Sequence, residues 1–411
     1  MKKLFKNIKE LLQVREADVR LLKGTEMAEL PTLKNAFLLV EDGLIADFGE
    51  MKDCPGGADE VIDCTGRMIL PSWCDSHTHL VYAGNREGEF VDRIKGLSYA
   101  EIAAKGGGIL NSAKKLQASS EEALYEQSKA RLEEVISQGT GAIEIKSGYG
   151  LTPDAELKML RVVKRLKENY ALPIKATFLG AHAVPAEYKD NKEDYLDMLI
   201  EEVMPQVAKE GLAEYVDIFC ETGYFSVADT EKILAAGKQH GLVPKIHVNQ
   251  FTAIGGVQAA IQYGALSVDH LEEMREEDIA ALQGTATIPV ALPSCSFYLS
   301  IPYTPAREML NAGLPLALAT DFNPGSTPSG NMNFVVATAC IKMKMTPEEA
   351  INAATINGAY AMGLEKEVGS ITKGKLANLI VTKPISSYAS IPYNFGTSYV
   401  GEVYLKGTLM K

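Results

Sequence analysis

Short apolar segments rich in β-branched residues alternate with amphipathic segments through the middle of this 411-residue chain. This alternation is typical of β/α units arranged around a parallel sheet. We predict eight strands, which read ILPSWCDSHTH, GAIEIKSGYG, IKATFLGAHAVP, YVDIFCE, KIHVNQF, LSVDHL, ATIPVALP and PLALATDFNPG. Eight strands separated by helices indicate a closed (β/α)8 barrel of the TIM type, whose reactive residues lie at the C-terminal ends of the strands.

Both ends of the chain show a different pattern of short strands and turns. In AFLLVEDGLIADFG an EDG turn separates two apolar runs, which predicts a β-hairpin. The C-terminal segments GSITKGKLANLIVTK and SYVGEVYLKGTLMK have the same character. We therefore predict an α/β protein in which residues 1–70 and 365–411 together form a small β-sandwich domain and residues 71–364 form the barrel.

The overall charge and the cysteines restrict the class of function. A net charge of −12 argues against binding to nucleic acid or to an anionic membrane, both of which require a basic surface. The six cysteines lack C-x-x-C spacing, which favours reduced thiols, and no segment is long and apolar enough to cross a bilayer. We expect a cytoplasmic enzyme acting on a small polar molecule.

Five of the six histidines lie at the ends of predicted strands. Alternate residues of a strand point the same way, so the two histidines of the HTH sequence should share one direction. The residues expected at the C-terminal rim of the barrel are His77, His79, His182, His247, His270 and Asp321. The exception, His240, follows the helical segment DTEKILAAGKQ, for which Asp229 is the predicted N-cap and Gly241 the stop signal, and we predict a structural role for it.

Imidazole and carboxylate groups together suit Zn²⁺ or iron, and a catalytic site leaves one position open for water. A single histidine would more often be structural, but an H-x-H pair combined with strand-end positions elsewhere indicates a metal site. The predicted ligands are His77, His79, His247 and Asp321. His270 follows an aspartate and is either a further ligand or a general acid or base, of which we favour the second.

These residues resemble the pattern of the amidohydrolase superfamily of metal-dependent barrels. Many of its members carry a carboxylated lysine at the end of the fourth strand, where this chain has Cys220 and Glu221. Lys146 falls on the second predicted strand, which is the wrong position for that bridging role. The resemblance therefore implies a mononuclear site with one Zn²⁺ or Fe³⁺ ion per subunit.

Five segments, in chain order, restrict the resemblance to one group within the superfamily: HTHLVYAGNRE, IEIKSGYGLT, FLGAHAVP, DHLE and TDFNPGS. This set is similar to the members that hydrolyse 4-imidazolone-5-propanoate to N-formimidoyl-L-glutamate, the ring opening of a cyclic amide by water. The resemblance implies a homodimer, catalytic roles for His270, Asp321 and His182, and substrate contacts from Arg86, Tyr99, Tyr149, His182, Gln250, Asn323, Gly325 and Ser326. A guanidinium such as that of Arg86 is the best bidentate partner for the propanoate carboxylate.

Two positions depart from the pattern of the superfamily. Gln250 stands three residues after His247, where many members have a glutamate that delivers a proton, and Asn378 stands where many have an aspartate. Glutamine can hydrogen-bond a ring but cannot exchange a proton as a carboxylic acid does, which counts against a deaminase of heterocycles. Two further functions are compatible with a barrel of this kind: a cyclic-amide hydrolase of the hydantoinase or dihydroorotase type, and a non-catalytic scaffold.

Overall fold

The computed structural model describes residues 1–97, 101 and 107–411. Within these ranges the strands are β1 Lys2–Leu12, β2 Thr32–Glu41, β3 Leu44–Glu50, β4 Glu60–Asp63, β5 Met68–Pro71, β6 Trp73–Asp75, β7 Thr140–Lys146, β8 Ile174–Ala181, β9 Tyr215–Cys220, β10 Val243–Val248, β11 Ser267–His270, β12 Ile288–Ala291, β13 Ala317–Leu318, β14 Leu379–Thr382, β15 Val400–Leu405 and β16 Thr408–Leu409.

Helices follow most of the barrel strands and cover the outside of the barrel. The α-helices among the described residues are Glu87–Ile94, Ile109–Ala118, Glu121–Ser137, Pro153–Asn169, Lys192–Met198, Met204–Glu210, Val227–Gln239, Gly256–Gln262, Glu276–Leu282, Pro293–Leu299, Ala306–Asn311, Met332–Met343, Pro347–Ala354, Ile356–Tyr360 and Ser390–Tyr393. None of the described helices has the length and apolar character required to span a membrane.

Strands β6 to β13 form one parallel sheet in chain order, which confirms the predicted barrel. The first strand is shorter than predicted, because Met68–Pro71 pairs with β1 and β14 of the terminal sheet instead. The barrel closes beyond the ends of β6 and β13, where Asp321 N donates to His77 O at 3.0 Å and His79 N donates to Phe322 O at 2.9 Å. Three of the predicted metal ligands therefore lie on the seam that closes the barrel.

Both termini contribute to a second, mixed sheet of order β16-β15-β14-β5-β1-β2-β3, with β4 paired to β1. The predicted hairpin is present as β2 and β3, joined at Asp42 and Gly43 with φ of 50° and 85°. Such a two-residue turn requires positive φ at both positions, which Gly adopts at no steric cost. The terminal domain is therefore made from the two ends of the chain, as the sequence predicts.

Asn378, one of the two atypical positions, connects this sheet to the barrel. Its Nδ2 donates to Gly141 O on β7 at 2.8 Å, and its Oδ1 accepts from Lys406 N at 2.8 Å. The side chain is buried, and it uses both halves of its amide. An aspartate could not donate to the Gly141 carbonyl, so the asparagine matches this particular pair of partners.

The prediction of Asp229 as an N-cap was wrong. Helix Val227–Gln239 begins one turn earlier, with Ser226 as the N-cap and Asp229 as the third residue of a reciprocal capping box. The acid at this position therefore contacts the Ser226 backbone N–H, as is typical of the box. His240 is the C-cap residue, and Gly241 has φ of 76°, so the predicted end of the helix is confirmed.

Candidate active site

Four predicted ligands converge at the C-terminal end of the barrel and are almost completely buried. His77 Nε2 and His79 Nε2 lie 3.5 Å and 3.6 Å from Asp321 Oδ1. His247 Nε2 lies 3.3 Å from His79 Nε2. Three imidazole rings and one carboxylate, from three parts of the chain, thus surround one point.

The hydrogen bonds of two of these rings fix which nitrogen is available. His77 Nδ1 donates to Asp269 at 2.6 Å, and His247 Nδ1 donates to Asp217 at 2.9 Å. In a neutral ring the other nitrogen, Nε2, then carries a lone pair. Within the described residues His77 Nε2 has no hydrogen-bond partner. Asp269 and Asp217 orient these two rings so that each Nε2 lone pair is available. Together with the Asp321 carboxylate, such nitrogen ligands suit a divalent metal ion.

A buried lysine lies close to the two carboxylates that hold these rings. Lys146 Nζ is 2.7 Å from Glu144, 2.9 Å from Asp217 and 3.6 Å from Asp269. A second buried lysine, Lys245, contacts the other oxygen of Glu144. The pKa of Asp217, which burial raises, is held well below its usual value by His247 and Lys146. Lys146 therefore acts as a counter-ion beneath the ligands.

Burial keeps the ligand imidazoles neutral. Desolvation lowers the pKa of His247 to about 3 despite the opposing effect of Asp217, and lowers the pKa of both His77 and His79 well below the usual value. Burial also raises the pKa of Asp321 to about 6. Neutral imidazoles are the form that binds metal, since a protonated ring nitrogen offers no lone pair.

Two of the predicted site residues have a strained backbone. His270 has φ of 89° and Asp321 has φ of 57°, values that residues with a side chain seldom adopt. Strain of this kind persists where the surrounding structure over-determines it, and it is concentrated at active sites. Burial by itself lowers the pKa of His270. The Glu272 carboxylate, 3.5 Å from Nδ1, and other nearby acids together outweigh this effect, so the pKa of His270 is raised. His270 can thus carry a proton beside the ligand cluster.

A cavity of about 600 Å³ opens beside the ligand cluster. Its lining includes seven of the predicted substrate contacts: Arg86, Tyr149, His182, Gln250, Asn323, Gly325 and Ser326. Tyr99 lies outside the described residues. The structure therefore gathers most of the predicted binding residues around one space of the size of a small-molecule site.

Arg86 lies against Gly325 and is held in place by an acid. Its Nε donates to Glu89 at 2.8 Å, and its side chain is only 10% exposed. A methyl group at Gly325 would lie 2.1 Å from Arg86 Nη1, so the absence of a side chain at this glycine makes room for the guanidinium. The ion pair with Glu89 orients a cation toward the cavity without removing its capacity to bind another carboxylate.

His182 stacks on His79 with ring centroids 5.0 Å apart, and Tyr149 meets both rings edge-on. Burial lowers the pKa of His182 to about 4, so the ring is neutral near pH 7. Its Nδ1 donates to the Gly148 carbonyl at 3.1 Å, which leaves Nε2 as an acceptor. If the catalytic role that the resemblance implies for His182 were donation to an oxyanion, it would require a protonated ring, whereas acceptance from a substrate N–H uses the neutral form.

The DFNPGS loop uses much of its polar capacity internally. Asn323 Oδ1 accepts from Gly325 N at 2.7 Å and from Ser326 N at 2.8 Å, while its Nδ2 donates to Ser326 Oγ at 2.7 Å. Ser326 Oγ in turn donates to Asp321 Oδ2 at 3.2 Å. The loop therefore orients the Asp321 carboxylate as well as lining the cavity.

Several residues of the site were not predicted. Asp217 and Asp269 stand inside apolar strands, as YVDIFC and SVDH, and a buried acid in such a run is the signal that could have identified them. Glu272 and Cys295 also lie at the site, where Gln250 Nε2 donates to Cys295 Sγ at 3.4 Å. Gln250 is thus a hydrogen-bonded member of the cavity wall.

A model described as the amidohydrolase family matches residues 68–410, and the chain belongs to this family. Two relatives narrow its place in the family. The imidazolonepropionase of Flavobacterium johnsoniae is 69% identical over 408 residues, and that of Christiangramia forsetii is 67% identical over 408 residues, each alignment covering 99% of both chains. Within the family the chain groups with the imidazolonepropionases, so it is a metal-dependent hydrolase of C–N bonds.

Solved structures agree on the fold. The guanine deaminase of E. coli matches with a TM-score of 0.75 and 15% identity, covering 100% of this chain and 99% of that chain. At this identity the likeness shows the common fold alone. The family model over residues 68–410 confirms the resemblance to the amidohydrolase superfamily that the histidine and aspartate pattern predicts.

Proposed function

We propose that this enzyme hydrolyses the cyclic amide of 4-imidazolone-5-propanoate to N-formimidoyl-L-glutamate. The observation that carries the proposal is the arrangement of a cluster of neutral imidazoles with Asp321 beside a cavity that contains Arg86. The substrate has a ring to be opened and a carboxylate tail. The site offers a hydrolytic centre for the first and a guanidinium for the second.

His77, His79, His247 and Asp321 would hold the metal. When bound, the metal supplies Lewis-acid chemistry, which lowers the pKa of a water ligand and polarises a carbonyl. We propose one Zn²⁺ or Fe³⁺ ion per chain in a cytoplasmic homodimer. Metal analysis together with light scattering measures the stoichiometry and the oligomeric state.

The chain's own groups bind and orient the substrate in this proposal. Arg86 pairs with the propanoate carboxylate, and the Tyr149 ring covers the heterocycle from the direction of His79. His182 Nε2 accepts from a ring N–H, since its Nδ1 is already donating to Gly148. Gln250 contributes a further hydrogen bond to the ring.

Proton transfer falls to Asp321 and His270. The burial that raises the pKa of Asp321 to about 6 makes this carboxylate a stronger base than an ordinary aspartate, and Ser326 orients it. We propose that Asp321 accepts a proton from the attacking water and that His270, supported by Glu272, delivers a proton to the ring nitrogen that leaves. Gln250 carries no proton in this scheme, because an amide cannot exchange one.

The test follows the loss of imidazolonepropionate absorbance, with substrate generated freshly from urocanate by urocanase. We expect turnover by the metal-loaded enzyme. In Arg86→Ala the KM should rise roughly 10- to 100-fold with a smaller change in kcat, because a charge-assisted hydrogen bond contributes about 1.5–3 kcal/mol. Absence of turnover in a protein that retains its metal would refute the substrate assignment.

His270→Asn separates proton transfer from binding. The variant should keep its metal content and its KM while losing most of kcat, since Asn fills a similar volume but cannot deliver a proton. A variant that turned over at the original rate with metal bound would remove His270 from the mechanism.

A further inference from the structure

Three buried side chains next to the ligand cluster form a second group of possible metal ligands. One ligand atom each from His270, Glu272 and Cys295 lies within 4.8 Å of the other two. Its ligand atoms differ from those of the predicted metal centre, because this group combines nitrogen, oxygen and sulfur. The two groups approach each other at His270, which also lies close to His77 and Asp321.

Glu272 provides an independent indication that this group binds a ligand. It is only 4% exposed, and its Oε1 is contacted by Ser296 Oγ at 3.2 Å and by His270 Nδ1 at 3.5 Å. Among the described residues its Oε2 has no hydrogen-bond partner. A buried carboxylate oxygen without a partner is costly, and a cation at this position would satisfy it.

We propose that His270, Glu272 and Cys295 form a second, inhibitory site for a thiophilic divalent cation such as Zn²⁺ or Cd²⁺. Thiolate and imidazole ligands select borderline and soft metals over Mg²⁺ or Ca²⁺, which prefer oxygen. Binding forms the metal–sulfur bond as the Cys295 thiol releases its proton to solvent. The cation charge is balanced by this thiolate and by Glu272.

The site would be inhibitory because it uses the residue that moves a proton in the proposed reaction. A cation bound between His270 Nδ1 and Glu272 Oε1, which lie 3.5 Å apart, separates the histidine from the carboxylate that supports it in the proposed reaction. His270 then cannot deliver a proton to the leaving nitrogen. Only this inhibitory consequence rests on the proposed function; the binding site itself does not.

The experiment is a titration of the metal-loaded enzyme with Cd²⁺, followed by ultraviolet absorbance. Cadmium bound to a thiolate gives a ligand-to-metal charge-transfer band that histidine and carboxylate ligands do not give. We expect a band that saturates at one Cd²⁺ per chain, with turnover falling in parallel. Cys295 also lies within hydrogen-bond reach of Asp321, so metal analysis after the titration must show that the original metal at the His77, His79, His247 and Asp321 site is retained.

Three variants assign the Cd²⁺ site to its residues. Cys295→Ser should abolish it, whereas Cys340→Ser, which removes a half-buried thiol elsewhere in the chain, should retain it. Glu272→Gln keeps the thiol but removes the anionic oxygen, and should weaken Cd²⁺ binding at least tenfold. Failure of Cys295→Ser to fold would therefore leave Glu272→Gln as the deciding measurement.

Three results would overturn the proposal. They are the absence of a thiolate band, a band that persists in Cys295→Ser or is lost in Cys340→Ser, and unchanged Cd²⁺ affinity in Glu272→Gln. A band that saturates without loss of turnover would refute the inhibitory role. A protein with no activity on imidazolonepropionate would still show the band, so failure of the proposed function is distinguishable from failure of this site.

Discussion

Replacing Lys146 by Met removes a buried positive charge while keeping a long unbranched side chain. The Lys146 ammonium lies within 2.7–3.6 Å of Glu144, Asp217 and Asp269, and all four side chains are fully buried. Within this group and its contact Lys245, two lysines face three carboxylates. The substitution leaves one lysine with three acids, so the perturbation is electrostatic rather than one of volume.

The expected cost can be estimated from this geometry. Breaking a buried ion pair by removal of one partner costs about 3–5 kcal/mol, because the remaining charge stays buried without compensation. Lys245 contacts Glu144 and the Ser76 and Ala361 carbonyls, so Asp217 loses its ion-pair partner, and Asp269 loses one of the two cations that act on it. We expect the free energy of unfolding to fall by about 3–5 kcal/mol. Metal affinity should fall as well, since these acids orient His247 and His77.

The assay is urea denaturation followed by far-ultraviolet circular dichroism, with Lys164→Met as the matched control. Lys164 is an exposed residue within helix Pro153–Asn169, and its replacement should change stability by less than about 0.5 kcal/mol. The double variant Lys146→Met/Glu144→Gln should recover part of the loss, because it restores the balance of charge. If Lys146→Met were as stable as the control, the counter-ion role would be refuted.

Three further predictions concern pH, the domain contact and the cavity. The pKa of His182, lowered to about 4, and that of His247, lowered to about 3, lie below the unfolded value of about 6.5. As pH falls from about 6.5 toward 4, the unfolded chain binds protons that the native metal-free protein does not bind. The free energy of unfolding, measured by denaturation, should therefore decrease by up to about 1.4 kcal/mol per pH unit for each ring. A free energy of unfolding that did not change over this pH range would contradict the prediction. Asn378→Asp should lower the free energy of unfolding by about 1–3 kcal/mol, because the Gly141 carbonyl loses its donor, and an unchanged melting curve would refute the contact's importance. Gly325→Ala should displace Arg86 and raise KM roughly tenfold or more with little change in melting temperature, and an unchanged KM would exclude the guanidinium from substrate binding.

The barrel and its ligands could be predicted because they follow local rules. Alternating strands and helices define the (β/α)8 order, and reactive residues at strand ends are then brought to one rim whatever the details of packing. His247 at the fifth strand lies beside His77 and His79 at the first for this reason. The length of the first strand was less predictable, because Met68–Pro71 has two possible sheets to join and only tertiary pairing decides between them.

The support beneath the ligands could not be predicted in the same way. IEIK shows that Glu144 and Lys146 point in one direction, since they are two residues apart on a strand, but it does not show what they face. Their partners Asp217 and Asp269 come from β9 and β11, across the interior of the barrel, and depend on the register between strands. The sequence pattern shows which side chains of one strand point the same way. Whether side chains of different strands are in contact depends on the register between those strands.

These contacts link the stability of the barrel to the chemistry at its rim. Lys146 Nζ lies 2.9 Å from Asp217 and 3.6 Å from Asp269, and these acids accept from the Nδ1 atoms of His247 and His77. The accepting acids set which nitrogen of each ring carries a lone pair toward the centre. Lys146, the last residue of β7, therefore supports the two acids that set the tautomers of His247 and His77. The charge balance of the buried core and the tautomers of the predicted ligands are therefore coupled in this chain. A single substitution at Lys146 should disturb both.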